Sequence, residues 1–144
     1  MTTLLAAIDL EDTPSALQVL AKAKTMAHNS GASLHVVHVV PSISLAFSAA
    51  MSLGVITDEA AEIARENANA ARQLLLDLVG ADIAPEHCHV VEGKGAEKIY
   101  QQAGQLGADT VVVGSKTAGI LALGSVTHRL LTLAKFDVMV VNIV

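Results

Sequence analysis

The sequence predicts an α/β fold, a doubly wound five-stranded parallel sheet with helices on both faces. Two observations carry this expectation. Short, nearly continuous apolar runs such as SLHVVHVV (33–40) and TVVV (110–113) alternate with longer segments of helical period, and a strand without alternation is one that will be covered on both sides. Turn residues separate five such strands from four helices, the order of parallel crossover units. The length of 144 residues suits one domain over 1–144, long enough to close a core without metal or disulfide.

Taken in order, residues 4–10 form a compact apolar strand carrying Asp9 at its end. Thr13 is expected to cap a helix with Pro14 at its first position, burying Leu17, Leu20, Ala23 and Ala27 and ending at Asn29, Ser30 and Gly31. Residues 33–40 make a second strand, stopped by Pro41. Pro41 to Gly54 lacks a period and reads as a long loop with a short helical turn. Thr57 to Val79 is helical, with acids early and arginines later as the helix dipole favours, and Gly80 ends it. His87 to Glu92 is a weaker third strand. Gly93 and Gly95 then turn into a helix that faces inward through Ile99 and Ala103. Thr110 to Val113 is a fully apolar strand. A glycine-bearing loop, Gly114 to Gly124, leads to a last helix from Ser125 to about Ala134, and Asp137 to Val144 is the fifth strand.

Composition narrows the function. Hydrophobic residues make up 52% and charged ones 16%, with 9 Lys and Arg against 14 Asp and Glu for a net charge of −5. With Phe47, Tyr100 and Phe136 the only aromatics, a nucleic-acid binder with a basic, stacking face is excluded. The apolar stretch from about Val36 to Ile56 is broken by His38, Pro41, Gly54 and serines, so it is no membrane span. No secretory signal is readable before Asp9, and Cys88 alone permits no intrachain disulfide, which suits a reducing, cytoplasmic setting.

In a doubly wound sheet, ligands settle beyond the carboxyl ends of the strands, where the winding reverses. Asp9, the stretch from Val39, Gly93, and Gly114 to Ser125 are the residues this rule selects. A carboxylate at position 9 can accept from ribose hydroxyls, or simply cap the first helix. Amides of Ser125, Val126 and Thr127, at a helix start behind Gly124, can face an anion. GSKT at 114–117 is not a P-loop, because Ser115 separates the glycine from Lys116. Lys116 is a solvated loop lysine that can also screen a phosphate. No dinucleotide fingerprint follows the first strand, and an FMN site lacks its phosphate-wrapping loop.

His87 and His89 share a strand face, but spacing supplies no further metal ligand, so they read as polar residues of a partly exposed strand. His35 and His38 fall on opposite faces, with His38 filling a polar corner of the core. No nucleophile elbow or matched acid pair appears, so no catalytic residue is assigned and hydrolysis is expected to be slow at most.

Together, LLAAIDLEDTPSAL, LHVVHVV, EGKGAEKI, GADTVVVGS and GSVTHRLLTLAKFDVMVV, in this order and spacing, resemble the universal stress protein family along essentially the whole chain. The resemblance implies a Rossmann-like domain, similar to the adenine nucleotide alpha hydrolase arrangement, that forms homodimers and often binds ATP. ATP-binding members carry GxxG and, further on, G[ST]. Gly114 matches the first glycine and Gly124 with Ser125 the last pair, but Thr117 replaces the second glycine and the loop is shorter, with Gly119 its turn residue. The resemblance then implies ribose at Asp9 with Ala7 two residues before it, adenine at the backbone of Val39, ribose bordered by Gly114, and phosphates of ATP, ADP or AMP at Gly124, Ser125 and Val126, with Mg²⁺ alongside. It also implies pairing of two chains through Asp137 to Val144, where an apolar edge strand needs a cover. The alternative is a member without nucleotide that acts on an unknown protein partner through the dimer surface. An enzyme using Pro41 to Gly54 as a lid is a further reading from fold analogy.

Overall fold

The computed structural model describes residues 2–40, 58–115, 125–133 and 135–144, with side chains of 58–65 and 125–126 excepted. Five strands, β1 (Thr3–Ala7), β2 (Ser33–Val40), β3 (Cys88–Glu92), β4 (Thr110–Ser115) and β5 (Asp137–Asn142), form one parallel sheet in the order β3-β2-β1-β4-β5. Between them run α1 (Thr13–Ser30), α2 (Asp58–Val79), α3 (Gly95–Leu106) and α4 (Ser125–Leu133). The chain winds outward from β1 to β3, then returns to place β4 on the other side of β1. Because parallel crossovers keep one hand, this reversal sends later helices to the opposite face. Accordingly α1 and α2 pack with Ala6, Val36 and Val112, while α3 and α4 pack with Leu5, Val37 and Val111.

The expected α/β architecture holds, with local corrections. The cap of α1 is Asp12 rather than Thr13: its carboxylate accepts from the Ser15 amide at 3.4 Å and the Ser15 hydroxyl at 2.9 Å. Leu17 is exposed, and the helix buries Ala16 and Val19 beside Leu20, Ala23 and Ala27. The inner stripe therefore starts at Ala16 rather than Leu17, and its continuation at i+4 and i+3 spacing through Leu20 and Ala23 leaves Leu17 off the buried face. Gly31, at φ 66°, closes α1 in the left-handed conformation that suits glycine.

β1 ends at Ala7, short of Leu10. The Ile8 amide makes one more bond, to the Val37 carbonyl at 3.0 Å, and the chain then turns as the Asp12 amide donates to the Asp9 carbonyl at 3.1 Å. His87 lies in a 3₁₀ turn (Pro85–His87) before β3. β4 runs on through Gly114 and Ser115, and β5 stops at Asn142 instead of Val144. β5 is an edge strand, paired with β4 alone among the described residues. Along it the exposed Asp137 and Met139 alternate with the half-buried Val138 and Val140 before the buried Val141, in contrast to β1, where Leu4, Leu5 and Ala6 are all buried. Among the described residues no helix is long and apolar enough to cross a membrane.

Candidate functional site

The reversal in strand order lies between β1 and β4, and just outside their carboxyl ends is a cavity of about 420 Å³. That volume is in the range of small-molecule sites, roughly 300–1,000 Å³. Its walls come from the chain segments that diverge there: Ala7 to Asp9 after β1, Val37 to Val39 on β2, Val113 and Gly114 on β4, and Thr127 from α4. Gly95 and Ile99 of α3 and Ile143 after β5 complete it.

Asp9 stands two residues past the strand end, exposed at the cavity mouth. Its Oδ1 accepts from the Glu11 amide at 2.9 Å, which bends the loop into a tight turn. Glu11 and Asp12 share the mouth. Three acids on one rim oppose a phosphate there, and Asp12 is already engaged as the cap of α1. Across the cavity Thr127 stands in the first turn of α4, and the first amides of a helix have no partner within it.

Gly114 has a structural reason of its own. A Cβ there would sit 2.9 Å from Val19 Cγ2 and 3.2 Å from Ile143, so only glycine lets α1 and the end of β5 close over β4. Thr127 is buried, and its hydroxyl donates to the Gly114 carbonyl at 3.4 Å, tying α4 to the strand end. Of the residues selected by sequence, Ala7, Asp9, Val39, Gly114 and Thr127 thus meet in one cavity. Ser125 and Val126 open α4. Lys116, Gly119 and Gly124, like the stretch Pro41 to Gly54, lie outside the described residues.

Sequence reasoning missed Ile99, Ile143 and the full reach of His38. Ile99 was assigned to the core alone; its place one turn into α3, just after the β3 end, was the available signal. His38, 6% exposed, does fill a polar corner of the core, and the polar atoms of that corner belong to the loop after β1: its Nδ1 lies 3.2 Å from the Ile8 carbonyl and 3.3 Å from the Leu10 amide.

A second cluster occupies the amino edge of the sheet. The register that pairs Val37 with His89 brings His35 alongside His87 and His89. The His35 and His87 rings stack at 4.0 Å, and His35 Nδ1 lies 3.0 Å from His89 Nε2. Burial, then the neighbouring His87 and His89, lower His35 from 6.5 to about 4; burial also lowers His89. His87 uses its Nδ1 on the Leu34 carbonyl at 3.0 Å. The His35 and His89 rings lie nearly parallel, 17° apart, with one ring nitrogen donating to the other, and among the described residues no group of three or more His, Cys, Asp or Glu can hold a metal ion. Burial pushes the Cys88 thiol up, away from nucleophilic use.

With strand order and cavity in view, the relationship is decided by a family model for universal stress proteins that matches residues 1–142. The chain belongs to the universal stress protein family. No curated protein matches it in sequence. Among solved structures, a universal stress protein in complex with cAMP is 24% identical, with a TM-score of 0.58, over 99% of this chain and 98% of that one. The Archaeoglobus fulgidus universal stress protein in complex with dAMP is 22% identical, TM-score 0.57, over 97% of each chain. Universal stress protein UspA from Lactobacillus plantarum is 21% identical, TM-score 0.61, again over 97% of each. At these identities the likeness to solved structures is one of fold.

Proposed function

We propose that this universal stress protein is a dimeric adenine-nucleotide binding module that takes ATP at the carboxyl edge of its sheet and acts in a stress response through the occupied state. The observation that carries the reading is the cavity of about 420 Å³ at the winding reversal, apolar within and acidic at one rim. Family members crystallised with cAMP and dAMP support an adenine ligand.

In this reading the Val39 backbone meets the adenine edge, with Ile99 and Val113 as apolar walls, and the Asp9 carboxylate accepts from the ribose hydroxyls beside Ala7 and Gly114. The acidic rim turns the phosphates toward α4, where the amides of Ser125, Val126 and Thr127 receive them. Thr127 contributes its amide, since its hydroxyl is engaged by Gly114. Gly119 and Gly124 are assigned to the phosphate loop, and Lys116 to screening charge there. Mg²⁺ travels with the phosphates, and ADP and AMP compete for the same place. Two chains pair through Asp137 to Val144, whose edge strand shows Met139 at 44% exposure.

Mass spectrometry of freshly purified protein is expected to find copurified adenine nucleotide, and equilibrium dialysis to show saturable ATP binding. Asp9→Ala should weaken that binding roughly tenfold, the loss of hydrogen bonds to a charged acceptor. A purified dimer that carries no nucleotide and binds no ATP would favour the second reading, an interaction protein working through the β5 edge.

A further inference from the structure

His38 occupies a position where an apolar residue would be expected. On β2 it follows Leu34 and Val36 on the face covered by α1 and α2, and both of those pack in the core. A histidine at 6% exposure needs its ring nitrogens occupied or reaching solvent, so its presence there carries a cost that a leucine would avoid. What the ring gains is contact with the loop after β1. Nδ1 lies 3.2 Å from the Ile8 carbonyl and 3.3 Å from the Leu10 amide. One nitrogen serves one of these at a time: protonated, it donates to Ile8; bare, it accepts from Leu10.

Both atoms flank Asp9. The ladder of β1 on β2 ends with the Ile8 amide on the Val37 carbonyl at 3.0 Å. Beyond it the Glu11 amide donates to Asp9 Oδ1 and the Asp12 amide to the Asp9 carbonyl within the turn, and the Asp12 carboxylate ties the far end of the loop to Ser15 of α1. The imidazole is thus a side chain of the sheet that grips this turn on both sides of Asp9. In either tautomer it holds a peptide next to Asp9, whose side chain borders the cavity.

We propose that His38 is a positioning residue that aims the Asp9 carboxylate at the ribose hydroxyls of a bound nucleotide. The inference rests on the nucleotide reading above for its ligand, and on the loop geometry alone for the aiming. The contact atom is Nδ1, so asparagine, whose amide lies near the Nδ1 position, should replace the ring, while glutamine, whose amide reaches toward Nε2, should not.

The test compares wild type with His38→Leu, His38→Asn and His38→Gln in two measurements. The first is hydrogen exchange of the Glu11 amide in nucleotide-free protein. Protection should fall roughly tenfold in His38→Leu and His38→Gln and be retained in His38→Asn. The second is the ratio of affinities for ATP and 2′,3′-dideoxy-ATP, which a merely structural loss would leave unchanged. It should collapse toward one in His38→Leu, as in Asp9→Ala, and recover in His38→Asn. Wild-type Glu11 protection and a wild-type ratio in His38→Leu overturn the proposal, as does equal rescue by glutamine. Should wild type bind neither nucleotide while Glu11 protection still depends on residue 38, the nucleotide reading falls and the aiming of Asp9 stands.

Discussion

The two ends of the sheet hold histidines in opposite employment. At the carboxyl edge, His38 is buried against backbone and grips a loop beside a cavity of about 420 Å³. At the amino edge, His35 stacks on both His87 and His89 beside a depression of about 530 Å³ lined by Lys24, His28, Asp82 and His87. Size alone would favour the second. The difference is directional: at the carboxyl edge strands deliver the chain into helix starts with unpaired amides, whereas at the amino edge it returns from helix ends whose carbonyls face inward. In the proposed reading a nucleotide, carrying phosphates at one end and hydroxyls in the middle, suits the first edge rather than the second.

The strongest way to break this contrast is Gly114→Val. Its side chain would drive into Val19 and Ile143, and urea unfolding should show a loss of about 1–3 kcal/mol together with loss of ATP binding. A variant of unchanged stability would mean that the close packing over β4 is dispensable.

Acidification should strike the amino edge next. His35 is held at about 4 in the folded chain against 6.5 when exposed, and His89 is shifted in the same direction. Between those values the unfolded chain binds more protons, so stability is full above about pH 6.5 and declines as pH falls toward 4. The slope is at most about 1.4 kcal/mol per pH unit for each whole proton taken up on unfolding. His35→Val should flatten the decline in denaturant midpoints measured from pH 7 to 5. An unaltered profile would show that the cluster does not sense pH.

Asp12→Ala, which uncaps α1 at the carboxyl edge, is expected to cost about 1 kcal/mol in the same unfolding assay. The smallest effect belongs to Asp82→Asn at the amino edge. The Lys24–Asp82 pair spans 3.2 Å, but Asp82 is 79% exposed, so the change should stay within about 0.5 kcal/mol. A larger loss would promote that exposed pair to a structural contact.

Much of the fold was legible because the strands are apolar on both faces. β2 was read to its ends, since Pro41 and the Gly31 turn punctuate it on either side. Boundaries slipped where a polar residue continued or replaced the ladder: β1 ended early because Asp9 folds back on Glu11, and Asp12 took the cap expected of Thr13. The meeting of Ala7, Asp9, Val39, Gly114 and Thr127 in one cavity followed from strand order, a property the alternation of elements already suggests. What sequence could not supply was register. His35 and His89 are far apart in the chain, and only the β2–β3 alignment makes them neighbours. The same holds for His38, whose partners on β1 are set by the three-dimensional turn rather than by spacing.

The most direct test is an amide NMR titration with AMP, which reports on both ends of the sheet at once. Saturable shifts are expected at Ala7 to Asp12, Val37 to Val39 and Val113 to Gly114, with Leu34, His35, His87 and His89 unmoved. Shifts centred on those histidines, or none at millimolar AMP, would contradict nucleotide binding at the carboxyl edge.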